Sequence, residues 1–202
     1  MFAPFRASVM AEIAALVLAG GGARRLGGID KPLLDVGGRR LIERIIDALD
    51  AGHIAISANG DPARFAALRL PVLPDGDFAG QGPLAGVLAG LDWAVGLGAN
   101  ALVTVPGDTP FIPRGLARSL APPPACAASN GRAHYLVALW PVACRGALRR
   151  LLSAPGRRDV VHFTRAIGMR QVDFAGAEWD PFLNVNTPED LAMARAIAEG
   201  EP

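Results

Sequence analysis

Residues Ile13 to Leu18 form an aliphatic run, too short for a helix, that leads straight into Gly20-Gly21-Gly22. A buried parallel strand ending on a phosphate-binding loop has this form. Without a Cβ the backbone can approach an anion and turn its N–H groups toward it, and Arg24, Arg25 and Lys31 add side-chain cations at the same place. Two familiar glycine loops do not fit. The P-loop needs Gly-Lys-Ser/Thr five residues after its first glycine, but Gly27 follows Gly22 and leads to Gly28, while Lys31 precedes Pro32. The dinucleotide fingerprint needs a glycine where Arg25 stands, and a ribose-binding acid where the strand near Ile54 to Ser57 ends in Ala58-Asn59. What remains is a nucleotide site of another kind, with the loop as its centre.

A chain of 202 residues, 51% of them apolar, can bury one good core, so a single domain over residues 13–202 is expected behind a flexible N-terminus of residues 1–12, where Met10 is a second candidate initiator. A net charge of +1, scattered basic residues and few aromatics argue against a nucleic-acid partner. The first apolar run is short for a signal segment and far short of a membrane span. Cys126 and Cys144 lack paired metal spacing and read as buried structural thiols in a reducing cytoplasm. Of 20 basic residues 19 are arginine, so Lys31 is the only lysine. That bias points to a site wanting a compact ammonium where a planar guanidinium would not fit, although a chance surface lysine would look the same.

Strand and helix patterns alternate along the rest of the chain. Asp35-Val36-Gly37-Gly38 reads as a tight turn, and helical spacing follows over Leu41 to Leu49. Strands at Ile54–Ser57 and Pro71–Leu73 place Asn59 and Asp75 just past their carboxyl ends, where open α/β sheets bind ligands. Asp75 is suited to a guanine N–H edge or a ribose hydroxyl; for both residues an Asx-turn is the structural alternative. Pro83 opens a helix whose Gly82 and Gly86 leave room for a ligand or for close packing, which alone would explain Gly86 and Gly90. The strand Ala101–Val105 ends in Pro106-Gly107-Asp108, placing a carboxylate where it can hold Mg²⁺ beside a triphosphate; its alternative is a cap for a helix over Arg114 to Leu120. Beyond Pro122-Pro123-Pro124, Cys126–Ser129 and Tyr135–Trp140, separated by Asn130-Gly131, read as a hairpin or a pair of neighbouring strands. Helices are expected over Ala143–Leu152 and, after Gly156-Arg157-Arg158-Asp159, to about Ile167, with Arg157 and Arg158 either gripping a second anion or solvated. A last strand covers Gln171–Phe174, and Thr187-Pro188-Glu189-Asp190 caps a closing helix but leaves Asn184 and Asn186 unexplained. The alternation predicts a doubly wound α/β fold with a mostly parallel sheet and an antiparallel strand or hairpin in the second half.

Four motifs, in order, resemble the nucleotidyltransferase superfamily and most closely its molybdenum cofactor guanylyltransferases: Leu18-Ala19-Gly20-Gly21 through Lys31-Pro32-Leu33, Gly82-Pro83-Leu84-Ala85-Gly86, Gly107-Asp108-Thr109-Pro110, and Asn184-Val185-Asn186-Thr187-Pro188. The likeness runs from about Ile13 to about Ile197. It implies a Rossmann-like nucleotidyltransferase that transfers GMP from GTP to the terminal phosphate of molybdenum-molybdopterin, releasing pyrophosphate. In that scheme GTP and Mg²⁺ bind at Leu18, Ala19, Gly20, Gly21, Gly22, Lys31, Asn59, Asp75, Gly82 and Asp108, with Arg25, Lys31 and Asp108 carrying catalysis. Asn186 becomes a second metal ligand, and Arg158, Asn184 and Asn186 contact the second substrate. Molybdoenzyme chaperones or other cofactor-biosynthesis proteins are implied partners. His134 departs from the family, which shows His-Pro there, and with Tyr135 following it reads as a core or edge histidine. The alternatives are a cytidylyltransferase acting on molybdopterin, a sugar-1-phosphate nucleotidyltransferase, or a nucleotide-binding regulator without turnover. The Leu-Ala-Gly-Gly form favours guanine, and intact Arg25, Lys31 and Asp108 favour an enzyme.

Overall fold

The computed structural model describes residues 13–20, 30–156, 158–174 and 179–200. The expected flexible residues 1–12, and the part of the glycine loop that carries Gly21, Gly22, Arg24 and Arg25, lie outside them. A seven-stranded sheet runs in the order β5 (Val72–Leu73), β4 (His53–Ser57), β1 (Ile13–Leu18), β6 (Ala101–Pro106), β8 (Arg132–Pro141), β7 (Ala125–Ser129), β9 (Arg170–Asp173). Only β8 runs against the others: it pairs antiparallel with β6 and β7, and every other pairing in the sheet is parallel. The fold is therefore the expected α/β class, with its antiparallel strand in the second half. Asn130 and Gly131, at φ 50° and 74°, close the β7–β8 hairpin, as an Asn-Gly pair does most readily.

Both sheet faces are covered, which is why its central strands read as continuous apolar runs. Ile13, Ala15 and Val17 of β1 enter one core, together with Ile42 and Ile45 of α1 (Leu41–Ala48) and Leu116 and Leu120 of α3 (Leu116–Leu120). Ala14 and Leu16 enter the other, against α2 (Pro83–Gly96), α4 (Arg145–Ser153) and α5 (Val160–Ala166). Helix α2 lies so close to the sheet that a Cβ at Gly90 would stand 2.5 Å from Leu16 Cδ2 and 2.8 Å from Leu102 Cδ2. Helix-to-sheet packing thus accounts for that glycine.

The expected turn at Asp35–Gly38 is the tip of a short hairpin, β2 (Asp35–Val36) and β3 (Arg39–Arg40), with Gly37 and Gly38 at φ 63° and 75°. It packs on α6 (Pro188–Gly200) through a third, smaller core of Leu34, Val36, Leu41, Phe111, Val185 and Ala194. This core has a local purpose: it gathers the chain just past Lys31, just past Asp108 and just before Asn186. No described helix is long and apolar enough to cross a membrane.

Candidate active site

At the carboxyl ends of β4, β1 and β6 a cavity of about 560 Å³ opens. Among its lining residues are Leu18, Ala19, Gly20, Lys31, Asn59, Asp75, Gly82, Asp108 and Asn186. These nine candidates share one cleft, where Gly86 joins them, while Gly21, Gly22 and Arg25 fall outside the described residues.

Lys31 stands at the start of a 3-10 turn (Lys31–Leu33), and its Nζ donates to Asn186 Oδ1 at 2.6 Å, across 155 residues. Facing them is Asp108, at the end of β6. Burial pushes its carboxyl above the ordinary carboxylate range, and the nearby Lys31 charge pulls less strongly the other way. Its main-chain carbonyl accepts from Val185 N at 2.8 Å, and the Thr109 hydroxyl donates to Asn184 Oδ1 at 2.8 Å. The Asn184–Asn186 segment is therefore stitched to the end of β6. Asp108 caps no helix: α3 begins only at Leu116, after Gly115 in a left-handed conformation. The site also demands a glycine beside it, because a Cβ at Gly107 would lie 3.0 Å from Pro32 Cγ and 3.3 Å from the Leu18 carbonyl oxygen.

The other wall is a polar pair. Asn59 Nδ2 donates to Asp75 Oδ2 at 2.7 Å, and Asp75 N donates back to Asn59 Oδ1 at 3.0 Å. Neither side chain makes the Asx-turn that was its alternative; each braces the other at neighbouring strand ends, with the Ser57 hydroxyl 3.5 Å from Asp75 Oδ1. An Asp75 carboxylate held in this way keeps lone pairs for an N–H edge or a hydroxyl. The donor set suits Mg²⁺, a hard cation commonly bound through one or two protein carboxylates and completed by substrate phosphates and water. Asp108 is the carboxylate beside Lys31 that could take that place. Asn186 directs its side-chain oxygen to Lys31.

A MobA-like NTP transferase domain matches residues 15–170. A molybdenum cofactor guanylyltransferase of Acidiphilium cryptum is 53% identical over 187 residues, 92% of this chain and 95% of its own. The chain belongs to the molybdenum cofactor guanylyltransferase family. A second member, from Rhodopseudomonas palustris, is 46% identical over 199 residues, 93% of each chain. Among solved structures, molybdopterin-guanine dinucleotide biosynthesis protein A of Archaeoglobus fulgidus superposes with a TM-score of 0.75 at 20% identity, covering 93% of this chain and all of that one. The 2-C-methyl-D-erythritol 4-phosphate cytidylyltransferase of Thermus thermophilus follows the same path with a TM-score of 0.61 at 20% identity, covering 93% of this chain and 99% of that one. At that identity both share its fold. The guanylyltransferase family and its fold make the chain a nucleotidyltransferase.

Three residues of interest stand apart from the cleft lining. Asn184 is engaged by Thr109, and the Arg158 guanidinium folds back on the Ala154 carbonyl at 2.9 and 3.3 Å, at the end of α4. His134 is a half-buried histidine of β8, paired with Ala127 of β7 and packed against the Phe182 ring: Ser129 Oγ lies 2.8 Å from its Nε2 and donates to Asp180 Oδ1 at 2.8 Å, and burial lowers the imidazole pKa. Ser57 and Leu136 also line the cleft, and neither was a candidate from the sequence. Ser57, as the last residue of a recognised strand, carried a positional signal. Leu136 carried none, since its place depends on β8 inserting beside β6.

Proposed function

We propose that this chain transfers GMP from GTP to the terminal phosphate of molybdenum-molybdopterin. A phosphate oxygen of the pterin attacks the α-phosphorus in line; the new P–O bond forms as the bond to the β-phosphate bridging oxygen breaks, and pyrophosphate leaves with that electron pair. The observation that carries this reading is the meeting of Lys31, Asp108 and Asn186 at the ends of β1 and β6, in a family whose named members are guanylyltransferases. Phosphoryl transfers of this kind depend on positioning and charge neutralisation more than on acid–base chemistry. The Lys31 ammonium, steadied by Asn186, is placed to neutralise the phosphate chain, and Arg25 is assigned the same task. Asp108 is the residue that would hold Mg²⁺, and the ion would supply charge neutralisation for the phosphates. A ligand role for Asn186 requires its oxygen to exchange the Lys31 bond for the ion. Asp75, braced by Asn59, is assigned to the guanine edge or the ribose, Leu18 to Gly22 and Gly82 to the rest of the nucleotide, and Asn184, Asn186 and Arg158 to the pterin substrate. The reaction is placed in the cytoplasm, with the product passed on to other cofactor-biosynthesis proteins or a molybdoenzyme chaperone.

Calorimetry with GTP, CTP, ATP and UTP, each with and without Mg²⁺, tests the donor. Tight, magnesium-dependent binding of GTP together with pyrophosphate release on adding molybdopterin is expected. Preference for CTP would move the assignment to a cytidylyltransferase, and GTP binding without release would leave a nucleotide-binding regulator.

A further inference from the structure

Arg64 does not line the cleft, yet it joins the cleft's two walls. It lies on the 3-10 segment Pro62–Leu68, just past the turn after β4. Its Nη1 donates to Asp30 Oδ2 at 2.7 Å, and its Nη2 donates to the Asn59 main-chain carbonyl at 3.0 Å. Asp30 immediately precedes Lys31, and Asn59 is the brace of Asp75. One planar guanidinium therefore spans from the phosphate side of the site to the base and ribose side.

Two observations separate this from ordinary surface pairing. The Pro62–Leu68 segment has its own anchors, since the Asp61 side chain caps it at Ala63 N and Phe65 is buried in the core. Arg64 is not needed to hold it. Asp30 occupies the position before the Lys31–Leu33 turn, where an aspartate ordinarily caps, yet its carboxylate makes no capping bond and turns to Arg64 instead. The guanidinium is packed 4.8 Å from the Phe65 ring centroid, and its Nε is buried with no partner among the described residues. Its geometry is thus set by the two Nη contacts, at the expense of the third donor. A fork with fixed geometry transmits a shift at one wall to the other, which a single-point ammonium does not.

We infer that Arg64 is a positioning residue for nucleotidyl transfer: through Asp30 and Asn59 it fixes the spacing between Lys31 and Asp75. The inference rests on the proposed function for its kinetic readout. The test compares Arg64→Met, Arg64→Lys, Asp30→Asn and the Arg64→Met/Asp30→Asn double variant by pyrophosphate release, with far-UV circular dichroism at the assay temperature to score folding. Arg64→Met and Asp30→Asn should each lower kcat about 10- to 100-fold, as a displaced catalytic group does. The double variant should fall no further than the lower single one, because both remove the same bond. Arg64→Lys should recover part of the loss. Variants within twofold of the parent, single losses that multiply in the double variant, or losses found only where the protein is unfolded would overturn it. If the parent chain neither binds GTP nor releases pyrophosphate, the functional reading fails on its own. Hydrogen exchange of the peptide carrying Lys31 then decides: faster exchange in Arg64→Met and Asp30→Asn supports the link, and unchanged exchange overturns it.

Discussion

The ammonium of Lys31, 2.6 Å from Asn186 Oδ1, faces a carboxylate that burial keeps harder to ionise than usual. Two predictions belong at this scale. Lys31→Ala should reduce kcat by about 10²- to 10³-fold, the range for losing one preorganised electrostatic contact. Because Lys31 is only half-buried, the thermal transition should hardly move; calorimetry beside the turnover assay checks both. For Asp108 the sign runs the other way from most paired carboxylates. With a folded pKa above the unfolded one, the folded chain binds the proton more tightly, so stability falls as pH rises through that window, and at neutral pH the ionised group costs the fold. Asp108→Asn should therefore raise Tm at pH 7 while abolishing magnesium-dependent GTP binding. In the parent chain that binding should weaken on acidification from a pH above the ordinary carboxylate range. A lowered Tm in Asp108→Asn would show that attraction to Lys31 outweighs burial.

Helix α6 matters to the site through its first turn. Asp190 Oδ2 accepts from both Asn186 N and Thr187 N at 2.9 Å, and Asp190 N donates to Thr187 Oγ1 at 3.1 Å, a reciprocal cap. The Asn186 bond is the main cause holding the Asp190 carboxyl below its usual range. Asp190→Ala should cost about 1 kcal/mol, the typical worth of a cap, read by denaturant titration. It should also raise the KM for the pterin substrate, because the backbone of Asn186 loses its anchor. The stability difference should shrink as pH falls through the depressed Asp190 pKa, since a lowered carboxyl contributes only while ionised. At this scale the sequence was informative where signals are local. Strand ends at Leu18, Ser57 and Pro106, Pro83 at a helix start, and the Thr187 cap all follow from residues within a few positions of one another. Partnerships across the chain leave no such trace. Nothing near Asp30 announces Arg64, 34 residues on, and nothing near Thr109 announces Asn184. The tight turn at Gly37-Gly38 was legible as a turn, but the hairpin it closes is visible only once α6 covers it.

For the whole molecule, a sheet buried on both faces shelters its reactive groups. Cys126 and Cys144 are buried among aliphatic and aromatic side chains, and burial pushes each thiol up to about 11. Neither should react with a thiol reagent in the native chain at pH 8, and both should react together on unfolding, so a time course in denaturant should follow the global transition. Rapid native labelling of either would point to local opening of the second core.

The placement of Lys31 gives the molecule a built-in reporter. It is the only lysine of the 202 residues and it lines the cleft, so the one ε-amino group of the sequence lies in the candidate site. An amine acylating reagent should mark one side chain per molecule, separable by peptide mass from the terminal amine, and bound nucleotide should shield it. Occupancy of the site then becomes a stoichiometry that mass spectrometry can count, with no radiolabel and no second substrate.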